Sequence, residues 1–124
     1  MITGSVAGLQ QLPFDPYYAL SKHAVVGLMR SLSGLQSRGI RDNAIFPGGI
    51  DTGIAPDDLP SPTAMSPRSY VPDVVVQVLE SGEGGEICVA LGETHGAWTI
   101  EPPALTAPPG TSPGGARESA QSPD

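Results

Sequence analysis

Residues 15–28 read DPYYALSKHAVVGL, and the fold is best read outward from them. Asp15 followed by Pro16 is a helix start with a mechanism. The aspartate side chain can accept from the first free N–H groups, and proline loses nothing at the first helical position. From there Tyr18, Val25, Leu28, Met29, Leu32 and Leu35 recur at helical spacing. The pattern predicts a helix from Pro16 to about Arg38. Arg30 and Arg38 suit the negative end of its dipole, and Gly39 suits the position just past it. On such a helix Tyr18 and Lys22, four residues apart, project side by side. An ammonium beside a phenol favours the ionised ring oxygen, which would make the pair a proton donor and acceptor. Taken alone, the pair is weak. Tyr-x-x-x-Lys is more often a core phenol beside a lysine that extends to solvent.

The flanks supply strands. MITGS reads as the end of a strand, IRDNAIF (residues 40–46) as a second strand stopped by PGG, and EICVAL (residues 86–91) as a third. A second helix is expected from Pro72 to Ser81, with Val74, Val75, Val78 and Leu79 on its apolar side. Pro72 inside an earlier helix would remove a hydrogen bond, which favours the later start. Strand–helix–strand–helix–strand with short links predicts an α/β fold. The specific expectation is a partial Rossmann-type parallel sheet of about three strands and two main helices. Residues 101–124 are rich in Pro, Gly, Ser and Ala and lack aromatics. A segment of that composition cannot bury enough apolar surface to offset its ordering entropy. It is expected to be a disordered C-terminal tail, leaving a domain over residues 1–100.

Composition narrows the function. The 124 residues carry a net charge of −7 and a pI near 4.5. No basic stripe is present to meet nucleic acid or an anionic membrane. The N-terminus has no signal-peptide pattern, and no run approaches the length of a membrane span. A soluble, cytoplasmic protein is the default. The one cysteine, Cys88, excludes an internal disulfide and a cysteine-built zinc site, so no metal is expected. Cys88 itself reads as a buried small hydrophobe. His23, one position from Lys22, points about 100° away from the pair and reads as a surface or packing histidine. His95 is a loop residue without ligand partners. Asp57 and Asp58 read as solvated turn residues.

Company strengthens the Tyr18–Lys22 pair. Ser5 stands at the first strand end, in ITGSVAG, and PGGIDT follows the second. With these three parts in this order, the sequence resembles the short-chain dehydrogenase/reductase family from residue 2 to about residue 91. The resemblance implies an oxidoreductase that interconverts a small-molecule alcohol and a carbonyl with NAD or NADP. Tyr18 matches the family's general acid/base. Lys22 matches the lysine that tunes it and holds the nicotinamide ribose. Ser5 matches the hydroxyl that holds the substrate oxygen. Pro47, Gly48, Ile50 and Thr52 match the loop that carries the nicotinamide. Loop 53–70 matches the family's variable substrate lid. A homo-oligomer paired through helix 16–38 is also implied.

Other family features do not occur in the sequence. It contains no G-x-G-x-x-G, and SGEGGE at residues 81–86 follows a helix and precedes a strand, the wrong order for a phosphate cradle. The stretch that carries the family's active-site asparagine has no counterpart either. The chain therefore reads as the C-terminal half of such a domain, whose isolated form is expected to be inactive. The alternative is a non-catalytic fragment that acts at most as a binding or dimerisation module. Asp42, where the family places valine, is a costly residue to bury on a parallel sheet.

Overall fold

The computed structural model describes residues 1–54, 65–81, 83–101 and 109–110. Four strands form one sheet in chain order: β1 (Ile2–Thr3), β2 (Ala44–Pro47), β3 (Ile87–Ala90) and β4 (Ala97–Ile100). The first three are parallel. Ile2 lies opposite Ala44, and Ala44 opposite Ile87. Between them run α1 (Pro16–Leu32) and α2 (Tyr70–Ser81). This is the α/β plan expected from the sequence.

Consecutive strand residues point to opposite faces, and β2 uses both. Phe46 and Ala44 face α1, where Met29, 1% exposed, packs with Val25 and Val26. Ile45 faces α2, where it meets Val74, Val75, Val78 and Tyr70. Cys88 joins this second cluster and is buried, as its apolar strand suggested. One helix therefore covers each face of the sheet.

Several boundaries differ from the sequence reading. The regular helix ends at Leu32, and residues Ser33–Arg38 tighten into a 3-10 segment. Serine hydroxyls compete for the carbonyls there: Ser31 donates to Gly27, Ser33 to Arg30 and Ser37 to Gly34. Gly39, at φ 76°, closes the segment in the left-handed region, as expected for the residue past a helix end. The buried face is also rotated. Leu28 and Tyr18 are exposed, while Ala19 is buried and Val26 packs inward.

The second strand is shorter than IRDNAIF. Residues 40–43 precede it, because β3, its partner, begins only at Ile87. Asp42 is thus buried just before the strand rather than within it. Helix α2 starts at Tyr70, two residues before Pro72. The first N–H groups of a helix have no internal acceptor, so a proline at the third position removes nothing. Leu79, expected inside, is exposed.

A fourth strand joins the three expected ones. β4 pairs antiparallel with β3, Ala90 opposite Ala97 and Val89 opposite Trp98. It places Trp98 on the sheet edge. Apart from Glu101 and residues 109–110, the tail expected over 101–124 lies outside the described residues. So do Asp57, Asp58 and residues 55–64 of the expected lid.

Candidate active site

The carboxyl ends of the parallel strands gather the residues singled out by the sequence. Ser5 directly follows β1 and caps the 3-10 turn Val6–Gly8, where its Oγ accepts the Ala7 N–H at 3.2 Å. A serine hydroxyl has one hydrogen to give and two lone pairs. With a lone pair held by Ala7, the Ser5 hydrogen is available to a ligand oxygen.

Tyr18 lies in the first turn of α1. Asp15 fixes that turn by accepting the Tyr18 N–H at 3.0 Å. The Tyr18 side chain is 43% exposed, and the Ser21 hydroxyl donates to its carbonyl at 2.7 Å. One turn on, Lys22 is half-buried, and its Nζ lies 5.5 Å from the centre of the Tyr18 ring. The ammonium therefore rests over the ring face, where the aromatic quadrupole attracts it. Lys22 is the only lysine in the sequence. His23 turns away and bonds the Ala19 carbonyl through Nδ1 at 2.8 Å.

The Ser5 turn and α1 are in direct contact. A Cβ built on Gly8 would overlap the carbonyl of Lys22 and lie 3.3 Å from the His23 nitrogen. Glycine at position 8 lets the turn that begins at Ser5 sit against the helix backbone at Lys22. Gly4 makes a second close approach, over the Phe46 ring.

Loop 47–52 leaves the neighbouring strand end. Pro47 is the last residue of β2 and is buried. The Gly48 N–H donates to the Ala90 carbonyl at 2.9 Å, which ties the loop to β3. Ile50 forms an isolated parallel bridge with Ser66. The Thr52 N–H donates to the Ile50 carbonyl at 2.9 Å, and Thr52 is exposed. The turn capped by Ser5 is thus packed, through Gly8, against the α1 backbone at Lys22. Residues 47, 48, 50 and 52 lie one strand over, at the same end of the sheet.

Ser66 and Gly92, which also shape this end, carry no sequence signal of their own. Ser66 precedes Pro67, and α2 begins only at Tyr70. The backbone of Ser66 bonds Gly49 and Asp51.

The chain also matches known proteins by sequence. The family model described as short chain dehydrogenase matches residues 1–61, a span that includes Ser5, Tyr18, Lys22 and loop 47–52. Over these residues the chain belongs to the short-chain dehydrogenase family. It is 45% identical over 53 residues to 15-hydroxyprostaglandin dehydrogenase [NAD(+)] of Bos taurus, covering 40% of this chain and 20% of that protein. It is 52% identical over 54 residues to (+)-borneol dehydrogenase 1 of Salvia officinalis, covering 43% and 19%. A longer match, 34% over 88 residues, is to short-chain dehydrogenase/reductase prx7 of Penicillium rubens, covering 67% and 31%. The chain thus spans about a fifth of the length of the first two relatives and about a third of the last. The names of these relatives are those of dehydrogenases, that of the Bos taurus protein specifying NAD(+). No helix among the described residues is long and apolar enough to cross a membrane.

Proposed function

We propose that this chain supplies the catalytic end of an oxidoreductase that interconverts an alcohol and a carbonyl with NAD or NADP. The supporting observation is the packing of the Ser5 turn against the α1 backbone at Lys22, with the Lys22 ammonium over the Tyr18 ring. Three side chains of complementary chemistry, a hydroxyl donor, a phenol and a cation, belong to two segments packed in direct contact.

In the reducing direction, Ser5 donates its hydroxyl hydrogen to the carbonyl oxygen and stabilises the charge that develops there. Tyr18 gives its phenolic proton to that oxygen as the carbon gains hydride, and solvent returns a proton to the phenolate. Oxidation runs the same steps in reverse. A nicotinamide dinucleotide, when bound, supplies or accepts the hydride. The residues fit one end of such a cofactor. The Lys22 ammonium has three hydrogens to offer ribose hydroxyls. Pro47, Gly48, Ile50 and Thr52 would form the shelf for the nicotinamide, and the Thr52 hydroxyl is exposed to meet its amide. The pyrophosphate end finds no glycine-rich strand-to-helix loop in the sequence. That part of the site must come from other polypeptide.

Two measurements test this. In an enzyme assembled with a cofactor-binding segment, Tyr18→Phe should abolish turnover while NADH still protects Lys22 from amine acylation. With a single lysine in the chain, that protection can be read at one peptide. Retained turnover refutes the role of Tyr18. The 124-residue polypeptide by itself should show no micromolar affinity for NADH or NADPH, and a saturable fluorescence titration at that strength would contradict the division of labour.

A second reading, a binding or dimerisation module, has its own observation. The outer face of α1 exposes Tyr17 at 84%, with Leu20 and Leu28 beside it, and β1 stands at the edge of the described sheet. Such a surface suits coverage by further polypeptide or by a second copy through helix 16–38.

A further inference from the structure

Ser66 is polar, yet only 5% exposed. Its backbone grips loop 48–52 from one side. The Ser66 N–H donates to the Gly49 carbonyl at 2.9 Å, and the Ser66 carbonyl accepts the Asp51 N–H at 3.0 Å. Its side chain is set against the turn that follows β3. A Cβ built on Gly92 would overlap the Ser66 Oγ, and Gly92 itself sits at φ 111°, a conformation that L side chains rarely adopt. The same strand end grips the loop from the other side through the Gly48–Ala90 hydrogen bond. Residues 51–54 are exposed, so packing does little to hold them.

We propose that the contact between Ser66 and Gly92 is the joint that positions loop 48–52. The missing side chain at Gly92 lets Ser66 sit deep enough to bond both Gly49 and Asp51. Gly92, forty residues from the loop in sequence, is then a positioning residue for the nicotinamide side of the site. That last step rests on the proposed function; the joint itself does not.

The test is amide hydrogen exchange on the 124-residue chain. Gly92→Ala should speed exchange at the Asp51 and Ser66 amides by about tenfold or more, because their bonds open locally. Gly96→Ala is the control. Gly96 is also at positive φ, 72°, with nothing within 4 Å of a new Cβ, so it tests a positive-φ substitution beside the site without the overlap. It should leave both amides within about twofold of the parent. Adding Ser66→Ala to Gly92→Ala removes the overlapping Oγ and leaves the Ser66 Cβ at 3.4 Å, an ordinary contact. Protection should then return. Should Gly92→Ala not fold, recovered folding in the double variant supports the joint, and failure of both overturns it. Unchanged exchange in Gly92→Ala, or an equal effect from Gly96→Ala, also overturns it. In the assembled enzyme Gly92→Ala should raise the cofactor KM several-fold with little change in kcat. An enzyme with no oxidoreductase activity at all would defeat the functional reading and leave the exchange result standing.

Discussion

The two ends of the sheet are built differently. At the carboxyl end, close approaches are met by residues that accommodate them. Gly8 admits the Lys22 backbone, Gly4 admits the Phe46 ring and Gly92 admits Ser66. Among the described residues, the orphan side-chain polar atom near this end is the Tyr70 hydroxyl, a neutral group. At the amino end Asp42 is only 7% exposed, and neither carboxylate oxygen has a hydrogen-bond partner. Its backbone carbonyl is used, by the Gly85 N–H, but its side chain is not. Nearby, Met29, Arg30, Ser33, Gly85 and Ile87 line a cleft of about 140 Å³. Burying a carboxylate without a partner costs far more than burying a hydroxyl. Close approaches accommodated by glycine occur at the amino end too, where Gly84 and Gly85 adopt positive φ against Gln36; what sets that end apart is the unrelieved cost of the Asp42 carboxylate.

Substitutions at the two ends should move stability in opposite directions. The largest effect is expected from Gly8→Ala. Its new methyl group meets backbone, which cannot rotate away, and overpacking of this kind costs about 1–3 kcal/mol. Urea unfolding should show a loss in the upper part of that range. At the other end, Asp42→Val should gain about 1–2 kcal/mol by removing an unpaired buried carboxylate. A loss on Asp42→Val would mean that the carboxylate does useful work, and the contrast between the ends would fail.

The smallest effect is expected mid-sheet, at Cys88. Burial, and secondarily the Glu86 carboxylate, holds its thiol above the ordinary value of 9.0. The folded chain therefore keeps this proton to higher pH than the unfolded chain does. The associated stability is intact below the unfolded thiol's pKa and is lost as pH rises through the folded one. Unfolding midpoints should fall in the alkaline range above pH 9.0, and Cys88→Ala should flatten that fall.

How much of this was legible in the sequence depended on how local each feature is. Asp15 and Pro16 announce the start of α1 because a cap involves neighbours only, and the structure has both in place. Phe46 and Ile45 mark a strand buried on two faces. The limits of that strand were not legible, because they are set by where β3 begins. β4 was missed for the same reason. AWTI is short and mostly exposed, and it is a strand only because β3 pairs with it. In the site, Ser5, Tyr18 and Lys22 carry a recognisable pattern of spacing. Ser66 and Gly92 carry none, since their partnership exists only after the chain has folded. Gly8 lies between these cases. Its place in ITGSVAG was visible, but its closeness to Lys22 was not.

The order of the strands in space repeats their order along the chain, β1 to β4. Each strand can therefore dock on the one made just before it, with nothing threaded between strands already paired. The longest interval between neighbours is the one that contains α1, and that helix can form on its own timescale while the interval closes. Only the β3–β4 pairing is local; the two parallel pairings, Ile2 with Ala44 and Ala44 with Ile87, each close a crossover of about forty residues, so they form slowly and leave the β1 and β2 edges open meanwhile.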